Sequence, residues 1–197
     1  DLTVIGSEFD GNVAHYQGGG LLCGYASRVV LKSCSFTANS AQWGGAMDIG
    51  YWPSGTGRNE LAITENCVFA GNTAMAYGSA IAGSVVLTNC TLTGNRSLLG
   101  TTLSFGPGKG TLVDCVLWDN LEYPPVAQDL YQDPLFARGG YWADPNNASL
   151  VVGADALDAI WIDGDYHLKS QAGRWDPAVG SWVIDDVTSP YIDAGDP

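Results

Sequence analysis

Acidic side chains and two histidines are the groups in this sequence that could act in acid–base chemistry. Hydrolysis of a glycosidic bond needs two carboxylates placed about one sugar ring, and Asp185-Asp186 is the only adjacent acidic pair. Neighbouring residues on a strand face opposite sides, so we expect this pair to lie in a surface loop. His15 and His167 have no Ser or Cys nucleophile with a positional signature beside them. The sequence therefore predicts no catalytic residue.

One short acidic segment is similar to the start of a calcium loop. Asp163-Gly164-Asp165 places two carboxylates two residues apart, but the later acids of such a loop are missing. Calcium at Asp163 and Asp165 is therefore an expectation with an incomplete ligand set. No other metal or cofactor is predicted, because the cysteines lack metal-ligand spacing and no glycine run precedes a helix with Lys-Ser/Thr.

Four aromatic residues could bind carbohydrate, because sugars pack against exposed aromatic faces. Tyr51 and Trp52 begin an insertion at residues 50–60, and Trp43 and Tyr77 precede a small-residue step at matching places. We expect Trp43 and Tyr77 to stack as neighbours. Stacked aromatic residues also fill the corners of solenoids, so packing and ligand binding are both open for these four positions.

The elements that position these side chains are indicated by a repeat. Five segments share the columns Ser/Cys, Phe/Leu and Asn, and their asparagines are 27, 33, 23 and 25 residues apart. The segments are Val4-x-x-Ser7-x-Phe9-x-x-Asn12, Leu31-x-x-Cys34-x-Phe36-x-x-Asn39, Thr64-x-x-Cys67-x-Phe69-x-x-Asn72, Leu87-x-x-Cys90-x-Leu92-x-x-Asn95 and Leu112-x-x-Cys115-x-Leu117-x-x-Asn120. Glycines and a second strand-like run follow the asparagine, where a leucine-rich repeat would need more regular leucines. The sequence therefore predicts an all-β fold, a right-handed parallel β-helix of about five coils.

Stacking of the coils assigns a role to each column. Residues two apart face the same side of a strand, so the Cys and Phe/Leu columns should point into the core. We interpret Cys34, Cys67, Cys90 and Cys115 as reduced, buried thiols that act as small hydrophobic groups. Asn12, Asn39, Asn72, Asn95 and Asn120 should form a ladder in which each amide hydrogen-bonds its neighbours and turn backbone. We interpret both columns as structural.

Charge divides the chain into two parts. The 197 residues have a net charge of −13, but residues 1–113 contain 6 acids and 5 bases, whereas residues 114–197 contain 15 acids and 3 bases. We place the coils at 1–120 and an acidic tail, rich in Pro and Trp, at 121–197. Its Pro steps favour irregular extended segments, and we expect it to pack on the last coil as a cap.

The composition also excludes several classes of protein. The charge of −13 and the lack of a basic cluster argue against nucleic-acid binding, and no apolar run reaches the ~20 residues of a membrane span. With 26 glycines, many needed at turns, helical bundles and coiled coils are disfavoured.

Two families resemble this chain. The segments Phe36-x-x-Asn39 with Gly44-Gly45-Ala46-Met47, and Phe69-x-x-Asn72 with Gly78-Ser79-Ala80-Ile81, are similar to the repeats of polymorphic outer-membrane proteins. Asp133-Pro134-Leu135-Phe136, Gly164–Lys169 and Ser189–Pro197 resemble the tail that follows such repeats in large secreted or surface-anchored bacterial proteins. The resemblance implies a β-helix outside the cell or at its surface. Because the sequence begins at Asp1 within an apparent strand, we expect a piece of a longer exported protein.

The expected function is a structural or adhesive scaffold at the surface of a bacterial cell, without catalytic activity. Its β-helix has an unpaired strand edge at each end, so self-association into filaments is predicted; polysaccharide or other surface ligands are the other expected partners. The alternatives are a polysaccharide lyase or glycoside hydrolase on a β-helix, and a carbohydrate-binding module.

Overall fold

The protein was analysed as a computed structural model, which describes residues 2–24, 28–50, 61–105, 110–121 and 133–192. These residues form strands, turns and bends, and no helix occurs among them. Correspondingly, a helix long and apolar enough to cross a membrane is not found in the described ranges. The all-β prediction is confirmed.

In the described ranges, seventeen short strands precede residue 121 and seven follow residue 133. The first group is β1 (Leu2–Ile5), β2 (Glu8–Asp10), β3 (Leu21–Cys23), β4 (Arg28–Lys32), β5 (Ser35–Thr37), β6 (Ser40–Trp43), β7 (Met47–Ile49), β8 (Leu61–Glu65), β9 (Val68–Ala70), β10 (Thr73–Tyr77), β11 (Ile81–Gly83), β12 (Val85–Thr88), β13 (Thr91–Thr93), β14 (Arg96–Ser97), β15 (Leu103–Ser104), β16 (Thr111–Val113) and β17 (Val116–Trp118). The second group is β18 (Phe136–Arg138), β19 (Tyr141–Asp144), β20 (Asn147–Val151), β21 (Ile160–Ile162), β22 (Asp165–Leu168), β23 (Arg174–Asp176) and β24 (Ser181–Val183).

The first seventeen strands form four parallel sheets. In spatial order, sheet A is β1-β4-β8-β12-β16, sheet B is β2-β5-β9-β13-β17, sheet C is β6-β10-β14 and sheet D is β3-β7-β11-β15. Each sheet takes at most one strand from each sequence repeat, and the register aligns equivalent residues: Phe9 pairs with Phe36, and Phe36 with Phe69. The repeat therefore predicted the parallel pairing correctly, and the architecture is compatible with a β-helix.

The core is built from the columns that the repeat defines. The Phe9 and Phe36 rings are parallel with centroids 4.4 Å apart, and those of Phe36 and Phe69 are 5.0 Å apart. Leu92 and Leu117 continue this column, and both are buried. Burial of each such side chain contributes about 1.5–3 kcal/mol.

Two corners of each repeat need a residue in the left-handed backbone region. The first corner lies before the Ser/Cys column and is occupied by Gly6, Ser33, Asn66, Asn89 and Asp114. The second lies before the Asn column and is occupied by Gly11, Ala38, Gly71, Gly94 and Asp119. Asn and Asp tolerate this region because their short side chains hydrogen-bond locally. The glycine excess therefore accounts for only some of the corners.

The tail contains short antiparallel strands where we expected irregular segments. β19 pairs with β20 and β21, β18 pairs with β22, and β23 pairs with β24. Antiparallel pairs can be joined by short turns, which the Asp, Asn and Gly residues between these strands provide.

The tail contacts the side of the third and fourth repeats. The Trp161 ring lies over Gly71 and Gly94, where a Cβ atom would come within 2.0 Å of it. The Trp142 indole N–H donates to the carbonyl oxygen of Gly94 at 3.1 Å. The two glycines, which lack side chains, leave the space that Trp161 fills; a cap on the last repeat stays a prediction.

Arg96 joins the fourth repeat to the tail. Its guanidinium lies 3.8 Å from the centre of the Trp142 ring and donates to the carbonyl oxygens of Ala156, at 2.6 Å, and Ala159, at 3.3 Å. Burial lowers the pKa of Arg96, while Asp158 opposes this effect. Carbonyl oxygens and an aromatic face offset the desolvation cost of this cation.

Replacing Gly94 should loosen the tail beyond the cost of backbone strain. Gly11 and Gly94 have φ of +62° and +61°, but a Cβ at Gly11 would have no atom within 4 Å. We expect Gly11→Ala to cost about 1 kcal/mol through φ alone, and Gly94→Ala to cost about 2 kcal/mol more through displacement of Trp161. Urea denaturation and limited proteolysis of the tail measure both effects. Equal costs for the two variants would contradict this docking.

Candidate functional site

The asparagine column forms a continuous chain of hydrogen bonds. Each amide Nδ2 donates to the Oδ1 of the next asparagine, at 2.9 Å from Asn12 to Asn39, 3.0 Å from Asn39 to Asn72, 2.9 Å from Asn72 to Asn95 and 3.0 Å from Asn95 to Asn120. The same Oδ1 accepts the backbone N–H of the preceding asparagine. Four of the amides also donate to a carbonyl of the preceding repeat. These side-chain amides therefore hydrogen-bond to the backbone and to one another.

The cysteine column lies next to the aromatic column in the core. Cys34, Cys67 and Cys90 are buried and Cys115 is partly buried, and all four are free thiols. Each thiol donates to the carbonyl two residues earlier, at 3.3 Å. The hydrogen bond with Cys90, together with burial, raises the pKa of the Cys67 thiol. Cys67 is therefore a neutral packing group at physiological pH.

Trp43 and Tyr77 occupy equivalent places on neighbouring strands of sheet C. They are paired in the parallel register of β6 and β10, and Gln17 pairs with Trp43 on the other side. Tyr77 is 51 % exposed, and its ring covers Gly100. Met75 and Leu99 are also exposed, and together with Trp43 and Tyr77 we name them the sheet C patch. Tyr51 and Trp52 lie outside the described residues.

The two candidate calcium ligands have protein partners. Asp163 Oδ1 accepts the Tyr166 hydroxyl at 2.6 Å, and Asp165 Oδ1 lies 2.5 Å from His167 Nδ1. Burial and the bond to Asp163 raise the pKa of Tyr166. Among the described residues no group of three or more His, Cys, Asp or Glu is arranged to hold a metal ion. Calcium at this loop stays a prediction.

An open groove of about 760 Å³ lies between the tail and sheet B, and the sequence did not predict it. It is lined by Arg138 of β18, Asp165, Tyr166 and His167 of β22, Arg174 and Asp176 of β23, and Val68 of β9, with small residues between them. The antiparallel register places Arg138 opposite Asp165. We name this space the tail groove.

Arg174 holds the wall of the tail groove together. Its Nε and Nη2 donate to Asp185 at 3.0 and 3.4 Å, and its Nη1 lies 3.5 Å from Asp165 Oδ2 and 3.7 Å from Asp176 Oδ2. The backbone N–H of Ser170 and the Arg174 guanidinium lower the pKa of Asp185. Asp185 lies outside the strands, as expected, and binds this cation, while the carbonyl oxygen of its neighbour Asp186 accepts from Gln171.

A signal for the tail groove was present in the sequence. The tail, residues 121–197, has 3 basic residues and 13 acids, and two of the three bases, Arg138 and Arg174, line the groove. Such scarce cations in an acidic segment indicate places where charge is neutralised. Their convergence, however, depends on strand pairing that no local pattern specifies.

Comparison with known proteins gives one result for the tail. Residues 126–195 match the model of a family described as "Disaggregatase related", about a third of the 197 residues. The matched range contains every groove residue named above except Val68. No curated protein and no solved structure matches the chain.

Asparagine replacement should be costly in the middle of the column and mild at its start. Asn72→Ala removes the acceptor of the Asn39 N–H and the donor to the Phe36 carbonyl, leaving buried groups unpaired at a cost of about 3 kcal/mol. Asn12 is exposed and starts the column, so Asn12→Ala should cost less than about 1 kcal/mol. The free energy of unfolding measures both; similar costs would refute the ladder as a source of stability.

Proposed function

We propose that residues 1–120 form a right-handed parallel β-helix of about five coils, and that the chain is a non-catalytic adhesive scaffold outside the cell or at its surface. Four parallel sheets with equivalent residues in register support the β-helix. The polysaccharide of a cell surface or matrix is the proposed ligand.

The register of Trp43 and Tyr77 is the observation that supports an adhesive role for this chain. Both lie on sheet C, whose strands are fixed by the adjacent asparagine column. Strands in a sheet are about 4.8 Å apart, so the two side chains project from one rigid surface. Aromatic side chains held in this way bind at a low cost in conformational entropy.

The family description supports the same direction. It is "Disaggregatase related" and applies to residues 126–195, and we interpret the name as action on aggregates. A scaffold that holds a protein of this kind on aggregated material would serve such an action. A polysaccharide-degrading enzyme is our second candidate, for which the His167–Asp165 pair in the tail groove would be the acid–base group.

The sheet C patch should contribute most of the binding to polysaccharide. We expect Trp43→Ala and Tyr77→Ala each to weaken retention on insoluble cellulose, chitin or mannan about tenfold, because each removes an apolar face. Trp182→Ala is the matched control, since Trp182 is an exposed tryptophan in the tail. Co-sedimentation measures the bound fraction.

Two outcomes would contradict this function. Unchanged retention in both patch variants would exclude the sheet C patch as the binding surface. Release of soluble oligosaccharide from these polymers or from polygalacturonate, with or without calcium, would show catalysis. The enzyme would then replace the scaffold as the proposed function.

Self-association is the second part of the proposal. β1, β2 and β3 are edge strands of sheets A, B and D, and Leu2 and Ile5 of β1 are exposed. Open edges of this kind pair with other strands.

A charge on the edge strand should suppress this association. We expect the protein to form larger species at high concentration in sedimentation velocity, and Ile5→Lys to shift it toward monomer. Val179→Lys, at an exposed aliphatic residue of the tail, is the control and should associate like the unmodified protein. Monodisperse monomers at all concentrations in electron microscopy and sedimentation would refute the self-association.

A further inference from the structure

The tail groove is electrically balanced within a strongly acidic part of the chain. Residues 114–197 contain 15 acids and 3 bases, but the groove is lined by Arg138 and Arg174 against Asp165 and Asp176. The formal charges of these four groups cancel, and Asp185 behind Arg174 adds one negative charge. A strongly charged ligand therefore gains little net attraction here.

Hydrogen-bonding groups of both kinds face the groove. The Asp165 carboxylate can only accept, so His167 donates to it from Nδ1. Asp176 Oδ1 accepts the Ala178 N–H, while Asp176 Oδ2 has, among the described residues, the ion pair with Arg174 at 3.7 Å. Arg138 is exposed and supplies donors. A ligand that donates and accepts at short intervals matches this set.

The groove exists only where the tail lies against the repeats. Val68, at the outer face of β9, forms part of its lining, and the rest comes from the tail. Its volume of about 760 Å³ is within the usual range of small-molecule sites, about 300–1,000 Å³. The apolar lining residues Val68, Ala137 and Pro177 offer contacts to carbon–hydrogen faces.

We propose that the tail groove binds a neutral saccharide segment through Arg138, His167 and Asp176, with Val68 as its apolar wall. Hydroxyl groups of sugars both donate and accept, so they satisfy Asp176 as acceptor, Arg138 as donor and His167 in either role. A charged sugar of either sign would meet repulsion as well as attraction, because Asp165 and Asp176 lie beside Arg138 and Arg174. The inference takes its ligand class from the proposed function, but its site is separate from the sheet C patch.

Histidine NMR tests the proposal, because the chain has only two histidines. The full chain is titrated with cellohexaose, mannohexaose and chitohexaose, and with hexagalacturonate as the anionic comparison. We expect at least one neutral hexaose to shift the imidazole signals of His167 and not those of His15, which lies beside Tyr16 in the first repeat.

Groove variants locate the contact. Asp176→Asn and Arg138→Gln should each weaken binding about tenfold, since a hydrogen bond to a charged group is lost, and Val68→Lys should block the wall on the side of the repeats. Asp10→Asn, at an exposed carboxylate of the first repeat, is the matched control and should bind normally. Unchanged circular dichroism and unfolding free energy verify that each variant is folded.

Each outcome decides the proposal. No shift of His167 with any neutral hexaose at millimolar concentration, a response to hexagalacturonate alone, or equal binding by all four variants would overturn it. A His167 response that persists in Trp43→Ala and Tyr77→Ala shows that the groove binds independently of the sheet C patch. Loss of polymer retention in those patch variants with no His167 response would leave the proposed function standing and remove this inference.

Discussion

The in-register stacking of buried asparagine amides is the constraint on which the rest of this structure depends. Each amide serves the next asparagine and a backbone carbonyl of the preceding repeat, so a repeat shifted by one residue would bury unpaired polar groups. Such groups cost about 1–3 kcal/mol each. Insertions of different length between the asparagines, from 23 to 33 residues apart, are tolerated because they occur away from this column.

The same register determines where the tail can dock. Gly71 and Gly94 are equivalent residues of consecutive repeats, and both adopt the left-handed backbone that the corner before the asparagine requires. Because neither carries a side chain, the two corners together leave room for one indole ring, that of Trp161. A turn requirement in the repeats thus creates a binding surface for a distant segment, and Arg96 with Trp142 completes it.

Much of the fold could be predicted from the sequence because its signals are local. Cys34 and Phe36 are two residues apart, and both side chains are buried in the core. The repeat also aligned Phe36 with Phe69 correctly. The tail was less predictable. The partners of Gly71 and Gly94 lie many residues later in the chain, and Asp185 lies outside the strands, as expected, but follows β24, whose pairing with β23 brings it to Arg174. Local patterns report periodicity, but they do not specify which distant side chains meet.

The candidate surfaces differ in how they depend on this architecture. The sheet C patch is a property of the repeats alone, because Trp43 and Tyr77 are aligned by parallel pairing. The tail groove needs both parts, since Val68 comes from β9 and the polar groups come from the tail. Loosening the tail would therefore remove the groove and leave the patch intact. Trp161 couples the two parts by docking on the corners that precede Asn72 and Asn95. Because the asparagine column fixes these corners, it also determines whether the groove exists.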